Sequence, residues 1–416
     1  MPSLQWIKFY ELTILACLAV TLPAIMRQLA PEVLAERPIN VCVLGIFVAA
    51  ILSHLAYLSG DGFWYARDTF ERFGKVILYF LLAVAVLDNE SRLERTLTSV
   101  LALITLVAAL ALGHFHGLID IPALAALDRR ELNVESGEYE VIKQLRGTGI
   151  FNDPNDLAMI LVLGAVIAVH VLTDRSRGSL RLLAIGALAM LVYAVFMTKS
   201  RGGALAFFAA AGVLTHNRWG WRRLLYAGVA TLPVVLVVFS SRGGGNGDDR
   251  FELWSEGIQM IKSAPVFGIG WGMFAEESGG LVAHNSFLHC YSEMGIFGGT
   301  FFFGAFVATI LALFRLISQQ QIALTAESRH RLATVMALVC GAGVSMLTIS
   351  RPYAVPTYLI LGLASSVIVL ESERLGSIMW EPPRLPRWDQ QFFQRAFTGG
   401  IGFLFLTYCL VRFSVR

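Results

Sequence analysis

Phe151-Asn152-Asp153-Pro154-Asn155-Asp156-Leu157-Ala158 opens a stretch with no Asp, Glu, Lys or Arg from Leu157 to Thr173. Its reading decides the fold. Seventeen or more such residues cross the hydrocarbon of a bilayer as a helix, because a helix pairs its own backbone groups where no water is available. Asp153 is placed to cap that helix and Pro154 suits its first position. Working outward, similar apolar runs recur, and the chain reads as all-α and polytopic, with about twelve transmembrane helices. The spans are 11–29, 39–58, 74–88, 96–113, 155–173, 180–198, 202–215, 223–240, 286–316, 331–349, 354–371 and 397–413. Of these, 74–88 and 202–215 are short, and 286–316 is long enough to be tilted or broken.

Composition agrees. Hydrophobic residues make up 56% of the 416, charged residues only 15%, and the mean hydropathy is +0.64. Soluble domains carry roughly 25% charged residues, so an aqueous fold is excluded. One integral membrane domain over 1–416 is expected, with two long connections, 114–154 and 241–285, on the extracytoplasmic side. A net charge of +3 without a basic run gives no reason to expect nucleic acid as a partner. The five cysteines (Cys17, Cys42, Cys290, Cys340 and Cys409) fall within or beside apolar runs and form no CxxC pair. They read as small hydrophobes, and neither a metal site nor another cofactor is expected. No cleavage pattern follows the apolar stretch 12–25, so no cleavable signal peptide is expected.

Arginines orient the chain, since basic residues are retained in cytoplasmic loops. Connections 174–181, 216–223, 315–331 and 372–396 hold most of the arginines of the C-terminal half. They are read as cytoplasmic, and twelve spans then place both termini outside.

Four polar islands fall on the opposite, extracytoplasmic side. The first is 147–158, where a helix N-terminus faces outward and offers free N–H groups to an anion. Asn155 and Asp156 lie just inside the apolar run, where polar groups are costly. The second is Thr198-Lys199-Ser200-Arg201-Gly202-Gly203. Its arginine heads an apolar helix, and its glycines permit close approach by a helix or by a ligand. In the third, 241–285, a glycine-rich hinge at 242–249 precedes Arg250. Phe251, Trp254, Ile258 and Ile261 then recur at helical spacing, as in an amphipathic helix on the membrane surface. Pro265 ends it, and Gly268, Gly270 and Gly272 make the next segment pliable. The fourth is Ala283-His284-Asn285-Ser286, followed by Glu293, Gly295, Gly298 and Gly299. His284 suits a general base near neutral pH. Glu293 lies about 13 Å further along a helix, so contact with His284 requires a break.

These residue types suit one chemistry. Guanidinium groups match phosphate oxygens and keep their charge at any local dielectric. Arg201 and Arg250 are placed to stabilise charge on a leaving diphosphate, and His284 to take the proton of an acceptor hydroxyl attacking an anomeric carbon. The expected catalytic set is His284, Arg201 and Arg250. Asn152, Asp153, Asn155, Asp156, Lys199, Asn285, Glu293 and Arg351 are the expected substrate-binding residues.

At these motifs the chain resembles the O-antigen ligase family, from about residue 145 to 300. The carrying motifs are Phe151-Asn152-Asp153-Pro154-Asn155-Asp156, Ser200-Arg201-Gly202-Gly203, and Arg250 with Trp254 ahead of Pro265, Gly268 and Gly270. Most specific is His284-Asn285, then nine residues, Gly295, two residues and Gly298. The resemblance implies transfer of a glycan from undecaprenyl diphosphate on the periplasmic side of the bacterial inner membrane. The acceptor is the lipid A core for a ligase, or a growing glycan for a polymerase; protein O-glycosylation ligases share the family. It also implies that the family's essential arginines correspond to Arg201 and Arg250, and its essential histidine to His284. Membrane lipids are expected as surrounding partners. A transporter of lipid-linked glycans is the competing reading, and it would favour midplane sites and repeated broken helices.

Overall fold

The computed structural model describes residues 9–55, 62–132, 139–226, 228, 247–319, 324–379 and 384–414. In chain order the helices are α1 (Phe9–Gln28), α2 (Pro31–Glu36), α3 (Pro38–Leu55), α4 (Gly62–Val86), α5 (Glu90–Phe115), α6 (Pro154–Thr173), α7 (Leu180–Met197) and α8 (Arg201–Trp219). They continue as α9 (Gly247–Ser263), α10 (Ser286–Gln319), α11 (Ala326–Met346), α12 (Val355–Ile378) and α13 (Gln390–Ser414). Each span read from the sequence coincides with one of these helices except 223–240, most of which lies outside the described residues. Among the described residues six helices are long and apolar enough to cross a membrane: α5, α6, α7, α10, α12 and α13. The chain is therefore a helical, multi-pass membrane protein.

The described residues are helical apart from one short two-stranded pairing. In the connection 114–154, β1 (Leu127–Leu132) pairs antiparallel with β2 (Tyr139–Gln144), Leu127 opposite Gln144 and Leu132 opposite Tyr139. The alternation Tyr139-Glu140-Val141 is a strand signal that the search for apolar runs passes over. Leu145 N–H donates to Met197 O at 3.0 Å, and Gln144 Nε2 donates to Thr198 O at 3.3 Å. The hairpin is thus fastened to the turn that precedes Ser200.

Helix α6 is the centre of the bundle, with 83% of its apolar window buried against 22% for the peripheral α7 and α13. Its two ends carry different polar layers. At the C-terminal end, His170 Nε2 lies 3.0 Å from Glu94 Oε2 and its Nδ1 lies 3.0 Å from Thr334 Oγ1. Arg331 donates from Nε to Glu371 Oε1 at 2.9 Å and from Nη2 to Glu90 Oε1 at 2.8 Å. Arg177 also reaches Glu94. These pairs gather α5, α6, α11 and α12, and the arginines of three connections read as cytoplasmic (174–181, 315–331 and 372–396) belong to this end. Asp156, at the other end of α6, is fourteen residues from His170, roughly 21 Å along the axis.

The long α10 is broken, as its length suggests, at Gly295 (φ 63°, ψ −167°). A break exposes backbone groups that lipid cannot satisfy. Here the segment after α9 supplies the partners. Ile296 N–H donates to Pro265 O at 2.8 Å and Phe297 N–H to Val266 O at 3.2 Å. In return Ile269 N–H donates to Ser292 O at 3.1 Å and Gly270 N–H to Glu293 O at 3.0 Å. A Cβ on Gly295 would lie 2.3 Å from Val266 O, and one on Gly268 would lie 2.2 Å from the Glu293 carbonyl carbon. Gly268 and Gly270 are therefore fixed points against α10, so the segment read as pliable is strapped down at these two positions.

α9 forms where the amphipathic pattern predicts, but its inward face is shifted. Leu253, Gly257 and Met260 are buried, whereas Phe251, Trp254, Ile258 and Ile261 are only half-buried. Gly257 is the reason: its missing side chain lets α9 approach Ser292, whose Oγ donates to Gly257 O at 3.0 Å. The hinge residues 242–246 lie outside the described residues.

The break predicts a sharp asymmetry between glycines. Gly295→Val places a β-branched side chain at positive φ into the Val266 carbonyl, and the purified protein should lose its thermal transition or its monodisperse elution. Gly376→Ala, at a helical position with open space around it, should leave both unchanged or slightly improved.

Candidate functional site

Three helix N-termini are laced together at the end of the bundle opposite the His170 layer. Asp153 caps α6: its Oδ1 accepts from Asn155 N–H at 2.7 Å and from Asn155 Nδ2 at 2.9 Å. Ser200 caps α8, its Oγ accepting from Gly203 N–H at 2.9 Å while donating to Asn155 Oδ1 at 2.6 Å. Asn285 caps α10 through Oδ1, which accepts from Phe287 N–H at 3.1 Å and Leu288 N–H at 3.2 Å. Immediately before two of these caps stand Lys199 (φ 53°) and His284 (φ 49°), the positive-φ non-glycine residues among the described residues. Each such conformation costs about 1–3 kcal/mol and persists only where its surroundings over-determine it. Both strained residues are ones that the sequence assigns to chemistry.

The connection 347–354 is the hub. Ser286 Oγ donates to Ile349 O at 2.6 Å and accepts from Arg351 N–H at 3.0 Å. Arg351 Nε donates to Asp156 Oδ2 at 2.8 Å, and Nη2 reaches the same oxygen. Bonded to that carboxylate, the guanidinium is held above its ordinary pKa and keeps its proton. On the α8 side, a Cβ on Gly202 would meet Thr348 Oγ1 at 2.2 Å and one on Gly203 would meet Ala158 at 2.5 Å. The Gly202-Gly203 pair is there for helix approach. Residues 201 and 284 consequently belong to the same end of the protein, held to the 347–351 connection through Gly202 and Ser286 respectively.

Arg250 comes to this end through α9. Trp254, one turn later on the same face, donates from Nε1 to Ala283 O at 2.8 Å, next to His284. Arg201, Arg250 and His284 are all half-buried, and Lys199 lies with its Nζ 4.5 Å from the Phe196 ring centroid. Asn152 is exposed.

Glu293 is not brought to His284, because the break falls at Gly295, beyond it. Its carboxylate, 1% exposed, accepts from Phe274 N–H at 3.0 Å and from the Tyr353 hydroxyl at 2.7 Å, and lies 3.0 Å from His289 Nε2. Both carboxylate oxygens of Glu293 are thus engaged by protein groups. Asp153, Asn155, Asp156 and Asn285 are likewise engaged in caps or in the Arg351 pair, which leaves Asn152, Lys199 and Arg351 as the outward-facing members of that set.

His289 and Tyr353 were passed over in the sequence, although His289 stands four residues before Glu293, the spacing that puts two side chains on one helix face. His289 stacks on Phe274 (5.0 Å, 17°), and Tyr353 packs edge-on against Phe73 at 5.3 Å. An ionisable pair at this depth holds the 265–274 segment to α10 by the same carboxylate that reaches the 347–354 hub.

Residues 185–303, from α7 through the broken part of α10, match the family model described as O-antigen ligase. Over this stretch the chain is similar to the O-antigen ligase family. The match contains Arg201, Arg250, His284, Gly295 and Gly298, and begins after the Asn152–Asp156 motif, so it is narrower at its start than the 145–300 resemblance. No curated protein sequence matches the chain. The match supports a membrane glycosyltransferase of ligase or polymerase type.

Asp156 is 6% exposed as a side chain and Arg351 37%, so removing the arginine strands a carboxylate in the bundle. Arg351→Ala should lower stability by about 1–3 kcal/mol, less than a fully buried pair because the arginine is partly solvated. Combining it with Asp156→Asn should recover part of that loss in a denaturation midpoint.

Proposed function

We propose that this protein transfers a glycan from an undecaprenyl diphosphate carrier to an acceptor hydroxyl, on the periplasmic face of the inner membrane. One observation supports it above all. The helix starts bearing Arg201 and Arg250 and the strained turn bearing His284 are tied to one end of the bundle, at converging helix N-termini. The positive ends of these helix dipoles point the same way, which suits an anion at that end.

In this reading the diphosphate rests between Arg201 and Arg250, with Lys199 and Arg351 adding to the positive field. His284 accepts the proton of the acceptor hydroxyl as its oxygen attacks the anomeric carbon. The bond from that carbon to the diphosphate oxygen breaks, and the electron pair leaves on the lipid diphosphate, where the guanidinium groups stabilise it. The proton on His284 then passes to solvent. The expected acceptor is the lipid A core, in keeping with the O-antigen ligase description of the matched stretch.

The test uses purified protein in lipid nanodiscs with lipid-linked glycan and lipid A core. Product should form, and His284→Ala should reduce turnover by about 10²–10⁴-fold, the scale of a lost general base. Arg201→Ala and Arg250→Ala should each cut turnover steeply while leaving the folded protein intact. Fully active, folded His284 and Arg250 variants would refute the mechanism. A free repeat unit that competes successfully against the lipid A core would assign the same chemistry to a polymerase, and movement of substrate without chemical change would make the protein a transporter.

A further inference from the structure

A second polar cavity lies at the other end of the bundle, far from His284. It has a volume of about 1030 Å³ and is enclosed by the ends of α2 and α3, the C-terminal parts of α10 and α12, and the start of α13. On α12, Thr357 at the hub and Ser372 at the cavity are fifteen residues apart, roughly 22 Å along the helix. No residue of the proposed glycan site lines it.

The cavity is amphipathic along its depth. Its floor is apolar, formed by Ile39, Ala308, Leu311, Ile368, Leu385 and Phe392. Its rim carries five guanidinium groups, on Arg37, Arg315, Arg384, Arg387 and Arg395, against three carboxylates, on Glu36, Glu373 and Asp389. The acids do not neutralise that rim evenly. Arg387 Nη2 donates to Glu36 Oε1 at 3.1 Å, whereas Asp389 Oδ1 is engaged by Phe392 N–H at 2.7 Å as the cap of α13. Arg315 donates to the neutral carbonyl of Arg384 at 2.9 Å. The Arg384 and Arg395 side chains form no ion pair with any described residue. A second cavity, of about 520 Å³, shares Gln391 and Arg395 with the first and continues past Thr398 and Gly399 along the peripheral face of α13. By helical spacing Leu406, Leu410 and Phe413 share the face of Arg395 and Gly399, and they are exposed, as on a helix that faces lipid.

We infer that this cavity binds an anionic glycerophospholipid, its phosphate between Arg315, Arg384 and Arg395 and its acyl chains running over Phe392 and along α13. Two features require a lipid rather than a free anion: the apolar floor beneath the arginines, and the lateral opening at Arg395 onto an exposed apolar helix face. Basic pockets between membrane helices select anionic headgroups, each basic residue near the surface adding about 1 kcal/mol. Excess positive charge excludes a zwitterionic headgroup as the preferred occupant. The inference stands independently of the glycan-transfer reading.

Native mass spectrometry of the intact protein, supplied with equal phosphatidylglycerol and phosphatidylethanolamine, tests it. Phosphatidylglycerol should be retained preferentially, and Arg384→Gln with Arg395→Gln should reduce that preference by about fivefold or more, the scale of one basic residue's contribution. Both side chains are exposed, and a thermal unfolding scan of the double variant without added lipid should match that of the parent. Equal retention of the two lipids, or an unchanged preference in the folded variant, would overturn the inference. Displacement of phosphatidylglycerol by millimolar inorganic phosphate, with stabilisation by phosphate alone, would assign the cavity to a free anion and overturn it as well.

Discussion

A helix broken inside a membrane protein must find partners for the backbone groups that the break releases, and in this chain a single extended segment supplies them. Residues 265–270 exchange four main-chain hydrogen bonds with α10 on either side of Gly295. Lipid has no donor or acceptor to offer there, so the break and the strap exist together or not at all. The strap continues into Phe274, whose N–H fixes the Glu293 carboxylate, and Glu293 fixes Tyr353 in the 347–354 connection. From that connection the bonds to Ser286 and Asp156 set the start of α10 and of α6. The geometry around His284 thus descends from a main-chain requirement deep in the bundle.

That chain of dependence explains why so many polar residues near the site have no free valence. In a membrane interior each polar group needs a partner, and residues such as Asp156, Asn285 and Glu293 meet that need by binding one another's segments. What remains exposed to a ligand is a smaller set, dominated by cationic side chains and by helix ends. The division suits a site that must hold a strongly anionic carrier without rearranging. The two positive-φ residues, Lys199 and His284, fit the same picture, since strain of that kind is kept only where rigid neighbours impose it.

The two ends of α6 carry unlike polar layers. At the His170 end, acids and arginines from four helices neutralise one another in compact pairs, while the cavity beside α13 keeps an excess of arginine. At the Asp156 end, positive groups and helix N-termini predominate. The two ends thus differ in kind, with converging helix N-termini at one and compact ion pairs beside an arginine-rich cavity at the other.

Apolar run length alone determined the helical, multi-pass architecture and the position of nearly every described helix, because a bilayer admits few other solutions for such segments. The cap of α6 at Asp153 was legible too, since capping is local chemistry decided within four residues, whereas the caps at Ser200 and Asn285 were seen only in the structure. The hairpin at 127–144 escaped because its alternation is short and polar. The inward face of α9 was displaced because Gly257, silent in an apolar pattern, sets how closely that helix can approach Ser292. Only the tertiary structure decided which polar residues face one another. Glu293 meets His289, Tyr353 and Phe274 rather than His284, and Asp156 meets Arg351 across nearly two hundred residues, because such pairings depend on where a break falls and which loop fills it. Sequence spacing carries no record of that choice.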